Sequence, residues 1–242
     1  MDYSGEHSIT FGDKNTWTDW HLIPSTRPVF NPPSLKSKYI DVPGADGLLD
    51  LSTLFTGRPI FGNRIGSLEF IVANDYLRWE DTYSEIANYL HGQSMHAILD
   101  DDPDFFYEGR FAINEWKSDR NFSLITIDYT LAPYKKDLIG SLEADDWEWD
   151  PFDFETGIIQ ESLVALVVNG DDSLSVEIIG SPQSVVPIFT ASAILTVEFE
   201  SVLYTLPIGV SRVPSIQIAP GVNTLLFSGI GTVTIDHRGG SL

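Results

Sequence analysis

Leu174-Ser175-Val176-Glu177-Ile178-Ile179-Gly180-Ser181-Pro182 decides the fold class, because a run of strand length and composition ends in a glycine-serine-proline turn. The same cadence recurs on both sides of it. Short strands are predicted over residues 163–168, 174–179, 194–199, 215–218, 224–227 and 232–236, punctuated by Gly170-Asp171-Asp172, Pro220-Gly221-Val222-Asn223 and Gly229-Ile230-Gly231. Strand and turn in such quick alternation is what an antiparallel sandwich or jelly roll requires. Phe189, Phe199 and Phe227 fall in strand patterns and are read as core.

Upstream the texture differs. Ile9-Thr10-Phe11 alternates apolar and polar side chains ahead of Gly12-Asp13-Lys14-Asn15, with Trp17, Trp20 and Leu22 following, which predicts a β-hairpin. Pro24, Pro28, Pro32 and Pro33 lack the N–H that a sheet ladder needs, so this segment is expected to run as an extended edge or loop. A short strand is expected over 38–43, closed by Gly44-Ala45-Asp46-Gly47, and another over 67–72. The single convincing helix is predicted over 81–91, where Tyr83, Ile86, Ala87 and Leu90 share one face. Thr82 with Glu85 suits a capping box, and Gly92 a C-terminal stop. Strands are predicted over 95–99, 105–114 and 122–129. The fold class is therefore mainly β with one helix: a strand-dominated α+β domain over 1–140 and an antiparallel β-sandwich domain over 141–242. The opening of the second domain, 141–157, reads as an acidic linker pinned by Trp147, Trp149, Phe152 and Phe154.

A chain of 242 residues with 43% hydrophobic content can bury real cores. The absence of cysteine excludes disulfides, thiolate nucleophiles and cysteine-ligated metals. No basic stretch followed by an apolar run opens the sequence, and no segment reaches the ~18 apolar residues of a membrane span. A protein made in a cytosol, with no membrane partner, is expected. The net charge of −21, from 35 acidic against 14 basic residues, repels phosphate polymers and disfavours specific nucleic-acid binding. Residues 141–242 contain only Arg212 and Arg238 as cations, so the shorter part is the more acidic.

Catalytic constellations are not visible. Asp100-Asp101-Asp102-Pro103-Asp104 lacks the spaced ligands, central glycine and terminal Glu of an EF-hand loop, so a solvated turn between strands is expected there rather than a metal site. His7, His21, His91, His96 and His237 show no metal-ligand spacing, and packing or surface roles are expected for them. No serine sits in a GxSxG elbow, and neither GxxxxGK[ST] nor a strand-borne GxGxxG occurs. Abundant carboxylates guarantee some close pair by chance, which removes any specific glycosidase signal. No enzyme activity, cofactor or metal is expected. A sugar-binding module is the rival reading, but from residue 157 onward there is no Trp and Tyr204 is the only Tyr to stack on a sugar ring.

Several stretches taken in order carry a family likeness. Ile9-Thr10-Phe11-Gly12-Asp13-Lys14-Asn15-Thr16-Trp17 and Asp19-Trp20-His21-Leu22-Ile23-Pro24-Ser25-Thr26-Arg27-Pro28 come first. Pro43-Gly44-Ala45-Asp46-Gly47-Leu48-Leu49-Asp50-Leu51 and Thr56-Gly57-Arg58-Pro59-Ile60-Phe61-Gly62-Asn63-Arg64 follow. Asn88-Tyr89-Leu90-His91-Gly92, Leu99-Asp100-Asp101-Asp102-Pro103, Trp149-Asp150-Pro151-Phe152-Asp153-Phe154-Glu155-Thr156-Gly157 and Arg238-Gly239-Gly240-Ser241-Leu242 complete the series. Together they resemble the distal tail (Dit) proteins of siphophages and of prophages of Gram-positive bacteria.

The resemblance implies a structural protein of the virion, assembled in the host bacterial cytoplasm. Its N-terminal domain would build a homo-hexameric ring (the belt), with a galectin-like sandwich outside. Implied partners are the tail tube protein, the tail-tip hub protein and the receptor-binding or baseplate proteins. The length leaves no room for an inserted carbohydrate-binding module of ~100 residues, so the short architectural form is implied. The alternative is a carbohydrate-binding adhesion module contacting the host surface. Arg27, Arg58, Arg64, Phe61 and Asn63 are the candidate ring-interface residues, the arginines as charge-assisted contacts in an acid-rich domain. DNA would pass through such a ring, and residues 100–104 are the candidate loop facing its lumen.

Overall fold

The computed structural model describes residues 5–72, 79–118, 123–138, 152–153, 158–159, 163–170 and 173–242. The chain divides into two compact units, residues 1–135 with Leu242 and residues 136–241. The acidic stretch with Trp147, Trp149 and Phe154 lies outside the described residues.

The first unit contains β1 (Ile9–Phe11), β2 (Lys14–Asn15), β3 (Leu22–Pro24), β4 (Tyr39–Asp41), β5 (Leu48–Asp50), β6 (Arg64–Val72), α1 (Trp79–Leu90), β7 (Ser94–Leu99), β8 (Asp102–Ser118) and β9 (Ser123–Leu131), after which comes β10 (Lys135–Asp137). Antiparallel pairing orders the main sheet β2-β1-β7-β8-β9-β6-β3. The proline-bearing β3 lies at one edge, with Pro24 opposite Phe70 at the end of the ladder, where a missing N–H is tolerated. One face of this sheet and the inner face of α1 enclose a core that includes Phe11, Trp20, Phe70, Ile86, Leu90, Phe111 and Ile125. Each fully buried aliphatic side chain of this kind stabilises by about 1.5–3 kcal/mol.

α1 is the one helix among the described residues. It begins at Trp79, so Thr82 lies within its body, and the capping box expected at Thr82 and Glu85 does not form its start. Aromatic packing explains the longer helix: Trp79 lies 5.1 Å from Trp116, and Tyr83 stacks on the same indole at 4.6 Å. Those contacts reward an extra turn that local cap chemistry does not encode. Similarly β8, expected over 105–114, extends at both ends because it is paired with β7 on one side and β9 on the other. A bulge between Ile113 and Glu115 absorbs the resulting register shift. Asp102, Pro103 and Asp104 belong to this strand, and only Asp100 and Asp101 form the turn.

The second unit begins with the hairpin β11 (Phe152–Asp153) and β12 (Ile158–Ile159). β13 (Leu166–Val168), β14 (Leu174–Gly180), β15 (Ile188–Ala191), β16 (Leu195–Phe199), β17 (Val202–Leu206), β18 (Gly209–Arg212), β19 (Gly221–Ser228), β20 (Gly231–Asp236) and β21 (Gly240–Ser241) follow. Two four-stranded antiparallel sheets, ordered β13-β20-β15-β18 and β14-β19-β16-β17, face each other over one core. Phe189 of one sheet meets Phe227 of the other edge-on at 6.1 Å. The protein is thus mainly β with antiparallel sheets throughout.

Residues 215–218 do not form the expected strand. Ile216 and Ile218 are buried, as alternation demands, but pairing is limited to one bridge between Ile218 and Val185. β15 falls where Phe189 is read as a strand residue, whereas β17 and β18 are not among the expected strands. The last two are edge strands whose Leu203 and Val210 face solvent, so the inside–outside alternation that marks a half-buried strand is weak there.

Candidate functional site

The proline-bearing segment after β3 runs along β6 and leads into a two-stranded ribbon that leaves the sheet. Its root is a short ladder in which Lys36 N–H donates to Ile60 O at 2.8 Å, Gly62 N–H donates to Ser34 O at 2.7 Å, and Leu35 bridges Phe61. Further out, β4 pairs with β5 in the register Tyr39↔Asp50, Ile40↔Leu49, Asp41↔Leu48. We call residues 34–62 the arm. All six residues of β4 and β5 are exposed, and beyond them Leu54 and Phe55 are 63% and 93% exposed. No arm residue belongs to the core of the first unit.

Arg64, at the junction of arm and sheet, turns its charge away from solvent. It is 4% exposed. Its Nε donates to Pro133 O at 2.9 Å, its Nη1 donates to Asn31 O at 3.1 Å, and its guanidinium lies 5.4 Å from the Tyr107 ring centroid. Burial lowers its pKa, with Tyr107 and Tyr129 opposing that shift. Among the described residues its Nη2 has no partner, and no ion pair to a carboxylate is present. Around it, Phe30 packs against Tyr107 and Tyr129 at 4.6 and 4.9 Å, and Asn31 N–H donates to the Tyr129 hydroxyl at 2.9 Å. The cluster fastens the proline-bearing segment to the sheet and so fixes where the arm departs.

The other candidate residues are dispersed. Arg58 and Asn63 lie on the arm or next to it, half-buried and exposed respectively. Phe61 sits at the root with its ring edge-on to Tyr134 at 6.0 Å. Arg27 is bound elsewhere: its Nε donates to Asp101 Oδ2 at 3.0 Å, and His7 Nδ1 approaches the same carboxylate at 2.8 Å. Asp102 in turn pairs with Lys135 Nζ at 2.7 Å, so two carboxylates of the 100–104 cluster are engaged by cations of their own unit. Sequence reasoning misses the apolar side chains of the arm, because it places a strand over 38–43 and none over Leu48-Leu49-Asp50-Leu51. Two short apolar runs flanking Gly44-Ala45-Asp46-Gly47 are a hairpin signal.

Burial acts to raise the Asp101 carboxyl, but the hydrogen bonds from His7 and Arg27 and their charges outweigh it and hold it below its ordinary value. A carboxylate depressed in the folded state contributes stability that is complete above about pH 4 and is lost as pH falls through the depressed value. Asp101→Asn is therefore expected to flatten the acid side of the melting profile between about pH 5 and pH 2.5. Melting temperatures of the two proteins across that range check it, and equal acid slopes would rule the contribution out.

Among the described residues, no group of three His, Asp or Glu side chains is placed to hold a metal ion. A shallow cleft of about 330 Å³ lies between residues 26–31 and Ser67–Phe70; its titratable lining residues are Arg27 and Glu69.

No family model and no curated protein matches the sequence. Among solved structures the chain is similar to the SPP1 Dit (gp 19.1) protein, described as a paradigm of the hub adsorption apparatus in phages infecting Gram-positive bacteria. The TM-score is 0.59 at 15% identity, and the match covers 96% of this chain and 98% of that one. At that identity the likeness is one of fold. It is a likeness of the whole chain.

Proposed function

We propose that this protein is a structural component of a phage tail tip, a distal tail protein whose first unit assembles into a closed ring of six between the tail tube and the tail-tip hub. The observation that carries the reading is the end-to-end likeness of fold to the SPP1 hub protein, with neither chain leaving a domain unmatched. The ordered sequence resemblance points the same way. The reading gives the protein no catalytic role, and assigns receptor contact to other proteins of the baseplate. The carbohydrate-binding alternative gains no support from an aromatic platform, since no Trp occurs from residue 157 onward and Tyr204 is partly buried against the core of the sandwich.

Head-to-tail contacts with a rotation that closes yield a ring. The purified protein is expected to show, by light scattering and negative-stain microscopy, a ring of six copies of the 26.9 kDa chain. Because each copy carries −21, raising the salt from low to moderate should favour assembly or leave it unchanged, as charge is screened over ~8–10 Å. A strictly monomeric species at high protein concentration and moderate salt, with no rings in micrographs, would refute the proposal.

A further inference from the structure

The arm lacks what makes a β-ribbon stable. A two-stranded hairpin alone is marginal in water and needs a third strand or a packed face, yet both faces of β4–β5 are open to solvent. Its residues are not those of a solvated loop: Ile40 and Leu49 pair on one face, Leu48 lies on the other, and Leu54 and Phe55 follow beyond the ribbon. Exposed apolar side chains gathered on one short ribbon mark an interaction site.

Charge narrows the partner. Residues 36–60 contain Lys36, Lys38 and Arg58 against Asp41, Asp46 and Asp50, a neutral stretch in a chain of −21. Among the described residues Lys36 and Lys38 are exposed and hold no ion pair, whereas Lys14, Arg27, Lys117 and Lys135 are paired within their own unit. An apolar ribbon with two unpaired ammonium groups at its base complements an acidic surface, and a second copy of this chain supplies one. From its root to the Gly44–Gly47 turn the ribbon reaches roughly 25 Å at strand rise, enough to lie across a neighbour.

We propose that the arm docks on a second copy of this chain, with Leu49, Leu54 and Phe55 as its apolar anchors and Lys36 and Lys38 as cations facing the neighbour's carboxylates. The proposal rests on the ring reading above and gives that ring its donor surface: arm from one copy, acidic body of the next.

The test uses the full chain in three forms: wild type, the triple variant Leu49→Ser/Leu54→Ser/Phe55→Ser, and the charge reversal Lys36→Glu/Lys38→Glu. All five side chains are exposed, so circular dichroism and melting of the subunits should match wild type. Sedimentation should show the dissociation constant of the assembly rising at least about 30-fold in the triple variant, the scale of interface hot spots, with a smaller rise for the reversal. Arm amides should exchange slowly with solvent deuterium in assembled wild type and rapidly in the triple variant. Wild type that assembles while the triple variant assembles equally well, or while its own arm amides exchange rapidly, overturns the arm proposal alone. Wild type that remains single at every concentration overturns the ring reading and the arm proposal with it.

Discussion

Gly109→Ala is expected to destabilise the first unit by at least about 3 kcal/mol, the range of severe overpacking. Gly109 lies on β8 opposite Leu131 of β9 and Met95 of β7, a central position hydrogen-bonded to strands on both sides. A methyl group built there collides with the Thr130 carbonyl oxygen and lies 2.6 Å from the Leu131 Cα. Both are main-chain atoms, so no rotamer change can make room. Relief requires β9 to move away from β8, which breaks the ladder that organises the core through Phe111, Ile125 and Leu131. Urea unfolding followed by tryptophan fluorescence reads this, because four of the six tryptophans, Trp17, Trp20, Trp79 and Trp116, belong to that unit. An unchanged midpoint in Gly109→Ala would show that the strands are not held as closely as described.

Arg64→Ala should cost about 2–4 kcal/mol, summing a truncated buried side chain with the loss of its hydrogen bonds to two carbonyls. The sign needs argument, since burying an uncompensated guanidinium is itself unfavourable and its removal relieves that penalty. Two observations decide it. The guanidinium retains hydrogen bonds to Pro133 O and Asn31 O and the face of Tyr107, so its charge is partly solvated by the protein. Those carbonyls lose these donors once it is gone. Arg64→Lys keeps the charge but cannot reproduce the fork, and should fall between wild type and Arg64→Ala. Because this cluster fixes the root of the arm, Arg64→Ala should also accelerate deuterium exchange at Asn31 and Gly62, which an effect confined to the core would not do. A midpoint equal to wild type, or higher, would mean that desolvation dominates.

Local pattern carried the architecture further than it carried the surface. Elements whose residues alternate between core and solvent were readable in place: β14 and β20 lie within a residue of where periodicity set them. Legibility failed where tertiary partners decided. α1 starts early because Trp116, far along the chain, rewards another turn. β17 and β18 are edge strands with outward apolar side chains, so no inside–outside contrast marked them. The sequence-level resemblance supplied Arg27, Arg58, Arg64, Phe61 and Asn63, but neighbours in sequence proved to have different surroundings: Asn63 is exposed and Arg64 sealed. A strand's period of two separates adjacent residues in this way, and no reading of charge alone foresees it. Asp101 and Asp102 read as solvated because His7, Arg27 and Lys135, which hold them, are distant in sequence.

β8 and the arm also differ in how they would bear load. β8 runs for 17 residues, roughly 55 Å at strand rise, bonded laterally to β7 and β9. Tension along its axis pulls across many hydrogen bonds at once, a shear geometry in which none yields before its neighbours. The ribbon is held at its root by a short ladder between its own two strands, Lys36 to Ile60 and Gly62 to Ser34. A chain built this way is stiff along β8 and compliant at the arm, so strain imposed on it would be taken up by bending at residues 34–36 and 60–62 while the sheet keeps its shape.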